Sequence, residues 1–260
     1  MSEAVDAGPF DRVPSDHDGK RAALLLHGFT GTPYEMRPIG EELVRRGYRC
    51  VGPVMAGHHE THVELARIHW REWIDEAADH LDRLRGEAEH VVVAGMSMGG
   101  LVTLALGASH TPDAIAVMGV PLQLPRSIRW RVPIGKYLKP YFPKTEGPGG
   151  PDIREPGARE RHPGFDAIPV AGTHEILKLQ KHVRGVLDKV VCPTIIAHGA
   201  HDQTASPRDA YRTLGEVNAG RREIFIGEES GHVISVDYDG AECARRIADF
   251  FEAALADQGA

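Results

Sequence analysis

Ser97 stands midway between two glycines in Gly95-Met96-Ser97-Met98-Gly99. A serine hydroxyl is a poor nucleophile at neutral pH. It needs a base to take its proton and an acid to orient that base. Two later stretches offer such groups: His198-Gly199-Ala200-His201-Asp202 and Glu228-Glu229-Ser230-Gly231-His232. The chemistry they would supply together is acyl transfer, with Ser97 as nucleophile, His232 as base and Asp202 as orienting acid. His198 and His201 are rivals for the base, but they share the turn of the acid. Asp237 is a rival acid five residues past His232, where capping the next segment is its ordinary use. The tetrahedral intermediate also needs two backbone N–H groups aimed at its oxygen. Met98 N–H follows the serine at a helix start, where the dipole favours negative charge. Phe29 N–H lies in the second glycine-bearing turn, His27-Gly28-Phe29-Thr30-Gly31.

Positioning these groups requires strands that end where they stand. His90 to Ala94 is short, apolar and β-branched, and reads as a buried strand; Gly100 to Leu106 reads as a buried helix. A serine on the tight turn between them is lifted out of the backbone, and side chains at 95 or 99 would crowd that turn. Strands are expected over Ala22–Leu26, Arg49–Val51, Ala114–Met118, Thr194–Ala197 and Glu223–Ile226. Helices are expected over Pro38–Arg46, Ala66–Leu84, Pro207–Leu214 and Glu242–Leu255. This alternation predicts an α/β fold: a mostly parallel sheet with helices on both faces. Sites in such sheets form at the carboxyl ends of strands. Ser97, Asp202 and His232 all follow such ends, in the chain order this architecture uses.

The 260 residues suffice for one large domain, and no Gly/Ser linker or internal repeat divides them. A net charge of −7 gives no basic field for nucleic acid. No apolar run spans a membrane, and Met1 to Asp6 lacks the pattern of a secretory leader, so the cytoplasm is the expected address. Cys50, Cys192 and Cys243, an odd number without close spacing, read as buried thiols. His58, His59 and His62 raise a metal site, but their glycine and loop context favours a surface or pocket-rim role. Neither metal nor cofactor is expected.

One stretch breaks the alternation. Ten of the 18 prolines lie between Pro121 and Pro169, which excludes regular sheet or a long helix there. Trp130, Val132, Ile134, Tyr137, Leu138, Tyr141 and Phe142 are too apolar for an idle loop and are expected to bury against something. We read residues 121–185 as a cap inserted into a core of 1–120 and 186–260, with a helix over Ile176–Leu187 leading back. Tyr137 and Tyr141, with Gly28 and Phe29, are the expected substrate contacts.

Taken together, His27-Gly28-Phe29-Thr30-Gly31, Gly57-His58, Gly95-Met96-Ser97-Met98-Gly99-Gly100, His201-Asp202 and Ser230-Gly231-His232-Val233-Ile234 resemble the bacterial carboxylesterase/monoacylglycerol lipase group of α/β-hydrolases. The likeness covers roughly 20–120 and 185–252. It implies an α/β-hydrolase fold with a small cap, and hydrolysis of carboxylic esters of short to medium acyl chains or of monoacylglycerols. It also implies a Ser97, Asp202, His232 triad with Phe29 and Met98 as oxyanion donors. The cap departs from the helical one expected of the group: between Pro121 and Pro169 it is proline-rich and carries nine Lys/Arg against five Asp/Glu. That charge is either a solvated face or an attraction for anionic or micellar substrates. The implied partner is a small-molecule ester or lipid, with monomer and homodimer both open. A serine at the elbow still admits thioesterase, C–C hydrolase, amidase and perhydrolase chemistry. A non-catalytic ligand receptor on this scaffold is the reading from another class.

Overall fold

The computed structural model describes residues 5–59, 61–144 and 151–258. Residues 1–4, which open the stretch read for a leader, and 145–150 of the expected cap lie outside these. The strands are β1 (Phe10–Arg12), β2 (Arg21–Leu26), β3 (Arg49–Gly52), β4 (His90–Met96), β5 (Ala114–Met118), β6 (Tyr141–Pro143), β7 (Ala167–Pro169), β8 (Thr194–Gly199) and β9 (Arg222–Gly227). Seven of them form one sheet in the order β1-β3-β2-β4-β5-β8-β9. Every pairing in it is parallel except β1 with β3. The helices are α1 (Arg37–Arg45), α2 (His62–Leu65), α3 (Trp70–Arg85), α4 (Met98–Ser109), α5 (Arg126–Gly135), α6 (Pro156–Arg161), α7 (Val170–Arg184), α8 (Pro207–Glu216) and α9 (Gly240–Gln258).

Both faces of the sheet are covered, which is why the strands read as continuous apolar runs rather than alternating ones. Ala22, Leu24 and Leu26 join Val91, Val93, Ile115 and Val117 on one face, against Trp73 of α3, Leu101 of α4 and Leu179 of α7. Ala23 and Leu25 join Val92, Ala94, Ala114 and Ala116 on the other, against Ile39 of α1 and Phe251 of α9. Helix α4 is buried from Met98 to Gly107. An apolar helix of this kind needs neighbours on every side, and it has β4, β5, α3 and α7.

Several elements differ from the sequence expectation. Strand β1 is missed because three residues show no alternation. Helix α3 starts at Trp70 rather than Ala66: the Glu72 carboxylate accepts the His69 N–H (2.7 Å), which fixes the helix start there. Between β5 and β8 the chain forms α5, a β6–β7 ribbon, α6 and α7. Ile176, Leu179 and Val183 of α7 belong to the core.

The expected burial occurs at Val132 and in part at Tyr141, but not at the other apolar residues around α5. Trp130 is 68% exposed, Ile134 66%, Tyr137 81% and Leu138 80%, and Phe142 is exposed as well. Helix α5 is short, ends just beyond Pro133 and packs on α7 with Val132 as its buried residue, so the rest face outward. Among the described residues, no helix is long and apolar enough to cross a membrane.

Candidate active site

Strand β4 runs into α4 through Ser97, whose backbone takes φ 53° and ψ −110°. An L-residue is strained there, and the surroundings impose it. Ser97 N–H donates to Met118 O (2.8 Å). A Cβ at Gly95 would lie 2.2 Å from Gly99 O, and one at Gly99 2.2 Å from Leu26 O. Backbone cannot yield as a flexible side chain can, so only glycine fits at either position. The turn holds the serine half-buried at the carboxyl edge of the sheet.

The three side chains singled out by the sequence meet at that edge. Ser97 Oγ–H donates to His232 Nε2 (2.8 Å), and His232 Nδ1–H donates to Asp202 Oδ2 (2.8 Å). Asp202 follows β8 and His232 follows β9. Asp202 Oδ2 also accepts from His198 Nε2–H (2.8 Å), and Oδ1 accepts the N–H groups of Thr204 (2.8 Å) and Ala205 (2.7 Å). Burial would raise this carboxyl, but the His232 charge and the His198 and His232 hydrogen bonds hold it well below the usual carboxylate range. Burial likewise opposes a charged His232, yet the Asp202 charge and hydrogen bond outweigh it, with Asp152 and Glu35 adding. The imidazole is held above its ordinary value.

The rivals sort themselves by their partners. His198 is buried and bonds the same Asp202 Oδ2 as His232, while Ser97 bonds His232 and not His198; His201 is exposed. Asp237 accepts four backbone N–H groups at 2.8–2.9 Å, from Arg154, Gly231, Glu155 and Tyr238, and spends its oxygens on loop structure.

The glycine turn after β2 is held by two buried neutral histidines. His27 Nδ1–H donates to Gly28 O (2.9 Å), while its Nε2 accepts Met55 N–H (3.0 Å). His58 Nδ1–H donates to Ala56 O (3.1 Å), while its Nε2 accepts the N–H of Thr30 (3.1 Å), a residue at φ 60°. Burial lowers both rings, His58 to about 3. With both nitrogens of His58 spent on backbone, it has no lone pair for a metal. Among the described residues, neither Phe29 N–H nor Met98 N–H donates to a protein acceptor. Of the expected substrate contacts, Gly28 and Phe29 lie beside Ser97: a Cβ at Gly28 would come 3.3 Å from Ser97 Cβ. Tyr141 is half-buried with its ring edge-on to His62 (4.6 Å). Tyr137 lies on the outer surface, its ring under Lys136 Nζ at 5.0 Å.

A model of the serine aminopeptidase S33 (Hydrolase_4) family matches residues 17–239. The chain belongs to this family. A thermostable monoacylglycerol lipase of Bacillus sp. (strain H-257) is 29% identical over 90% of this S33 chain and 91% of its own length. A carboxylesterase of Bacillus subtilis (strain 168) is 28% identical over 90% and 93%. Among solved structures, one reported for the metagenome-derived lipolytic enzymes LipS and LipT shares the fold. Its TM-score is 0.86 at 23% identity, covering 95% of this chain and 98% of that one. The S33 chain thus has the α/β-hydrolase fold.

Sequence reasoning missed the carboxylates that surround this hydrolase site. Asp152 is half-buried between the loops that carry Asp202 and His232. Its Oδ2 accepts Gln203 N–H (2.7 Å), Thr204 N–H (3.1 Å) and the Thr204 hydroxyl (3.1 Å), and its carbonyl accepts Val233 N–H (3.2 Å). No motif marks it, because its partners lie some 50 residues or more further along the chain. Its charge favours imidazolium at His232. With His232 as the base expected from the sequence, the ring must be neutral to act, so kcat/KM should rise with pH through its raised value. Asp152→Asn removes a charge that holds this value up, and should move the acid limb to lower pH. The check is kcat/KM for p-nitrophenyl butyrate from about pH 5 to about 9. A limb that stays in place would disconnect Asp152 from the base.

Proposed function

We propose that this chain is a serine hydrolase of carboxylic esters with short to medium acyl chains, monoacylglycerols among them. The observation that carries the proposal is the hydrogen-bonded series Ser97–His232–Asp202, with both links at 2.8 Å. His232 takes the Ser97 proton as Oγ attacks the ester carbonyl, and the Phe29 and Met98 amides receive the developing oxyanion. His232 then protonates the leaving alcohol, and water repeats the sequence on the acyl-enzyme. Asp202 keeps the Nδ1 proton in place and stabilises the imidazolium throughout. The names of the two Bacillus relatives support ester over amide substrates.

Steady turnover of p-nitrophenyl butyrate, with a fluorophosphonate adduct on Ser97, is the expected result. Binding with at most one slow turnover would favour a receptor instead. Faster cleavage of amino-acid p-nitroanilides than of esters would move the chain toward the peptidase sense of its family name.

Residues 121–185 act in this proposal as a cap that gauges acyl length. Tyr141, half-buried against His62, should matter more than the outward Tyr137. An acyl chain gains about 0.8 kcal/mol per buried CH₂, close to a fourfold change in kcat/KM per methylene. Tyr141→Ala should therefore shift the preferred length in a p-nitrophenyl ester series, and Tyr137→Ala should shift it less. An unchanged profile in both variants would make the cap a bystander to acyl length.

A further inference from the structure

We propose that Glu35 and His162 form a buried latch through which the cap segment holds the Gly28–Phe29 turn in the orientation that an oxyanion site needs. Glu35 is then a positioning residue, and the cap takes part in binding the transition state. This rests on the ester-hydrolase reading of Ser97 given above.

Glu35 lies in the turn between β2 and α1, with its side chain 5% exposed; that of His162 is also 5% exposed. A carboxylate this deep is costly unless donors replace its water. It has two, from opposite sides. Gly28 N–H donates to Oε2 (2.8 Å), and His162 Nε2–H donates to Oε1 (2.9 Å). One donor belongs to the glycine turn, the other to the chain just past α6. Burial would raise the carboxyl, but the His162 and His27 interactions and the Gly28 N–H bring it down to about 2.

The carboxylate adjoins the reacting serine. A Cβ at Gly28 would come 3.0 Å from Glu35 Oε2 and 3.3 Å from Ser97 Cβ, so only the Gly28 backbone separates them. Both sides of that backbone are tied down. Its N–H is held by Glu35; its carbonyl accepts from His27 Nδ1–H (2.9 Å) and from Gly31 N–H (3.1 Å). A trans peptide points its N–H opposite its C=O. Fixing Gly28 O therefore fixes Phe29 N–H, and fixing Gly28 N–H removes the rotation that could undo it.

The cap grips the same turn at further points. Phe165 N–H donates to Thr30 O (2.9 Å), and Lys144 Nζ reaches that oxygen at 3.5 Å. The Phe165 ring stacks on His58 (5.8 Å between centroids), and α7 brings Gly172 against the Phe29 ring. His162 is the cap residue whose partner directly holds a peptide of the oxyanion turn. If residues 162–165 lift, Glu35 keeps a single donor and Gly28 loses a fixed anchor.

Glu35→Ala and His162→Ala test this in the full-length chain. Losing an oxyanion donor outright costs about 10²–10³ in kcat, so loosening one should cost about 10- to 100-fold, with KM within about twofold. Affinity for an alkyl boronic acid, which forms a tetrahedral adduct on serine, should fall alongside kcat. Glu35→Gln keeps an acceptor for Gly28 N–H and should recover much of the loss. If Glu35→Ala does not fold, His162→Ala and its rescue by His162→Gln carry the same comparison. Variants that lower only the melting temperature, leaving kcat and boronate affinity within about twofold, would reduce the pair to a structural contact and overturn the proposal. A wild-type chain without Ser97-dependent turnover would sink the ester reading and the latch together; normal wild-type turnover with unaffected variants sinks the latch alone.

Discussion

Ser97→Ala should lower kcat on p-nitrophenyl butyrate by about 10⁶ and leave the fold intact. Two features make both halves of that expectation definite. The hydroxyl is the proposed site of bond formation, and alanine offers no atom that could form that bond. What remains is binding and the Phe29 and Met98 amides, the proposed oxyanion donors. On the stability side, the substitution removes one hydrogen bond to His232 at a half-buried position. Alanine meets the same φ of 53° that serine already tolerates, so no new backbone strain arises. The melting temperature should move little. Active-site titration with a fluorophosphonate supplies the independent check, because wild type should take one label, on Ser97, and the variant none. A stable label on any other residue would relocate the nucleophile.

The parts of this site written into the sequence are those built from neighbours along the chain. Gly95 and Gly99 flank Ser97 closely, and the β4 and α4 patterns on either side are long and apolar enough to read. Strand β5 spans Ala114–Met118 as its apolar run predicts, because a strand buried on both faces carries its limits in its composition. The supporting groups were illegible for the opposite reason. Glu35 sits in a turn, where a glutamate ordinarily faces solvent. Its burial depends on His162, 127 positions later, in a stretch whose prolines erase any periodicity that could set a register. Asp152 falls in the same stretch. The exposed Trp130 and Leu138 mark the limit of composition: apolar content shows that a surface could be buried, but not whether a short helix has a neighbour to cover it.

Asp202→Asn should lower kcat by about 10⁴ while His232 stays in place, and the hydrogen bonds around Asp202 dictate why. Oδ1 faces two backbone donors, Thr204 and Ala205 N–H, so the amide oxygen of asparagine must take that side. The amide NH₂ is then forced toward His232 and His198. His232 Nδ1 must accept instead of donate, its proton moves to Nε2, and Nε2 no longer has a lone pair for the Ser97 hydroxyl. The opposite rotamer would set an NH₂ against two N–H groups. His198 loses its acceptor on the same oxygen: its Nε2–H either turns to the longer Ala205 O contact (3.3 Å) or gives up its proton to Nδ1, which has no partner among the described residues. A buried donor left poorly paired costs up to about 1–3 kcal/mol, so Asp202→Asn should also lower the melting temperature, and His198→Phe should relieve that loss without restoring turnover. Near-wild-type activity in Asp202→Asn would remove the carboxylate from the mechanism. Asp237, the rival acid five residues past His232, could take over only by releasing backbone donors that now hold Gly231, the residue before His232.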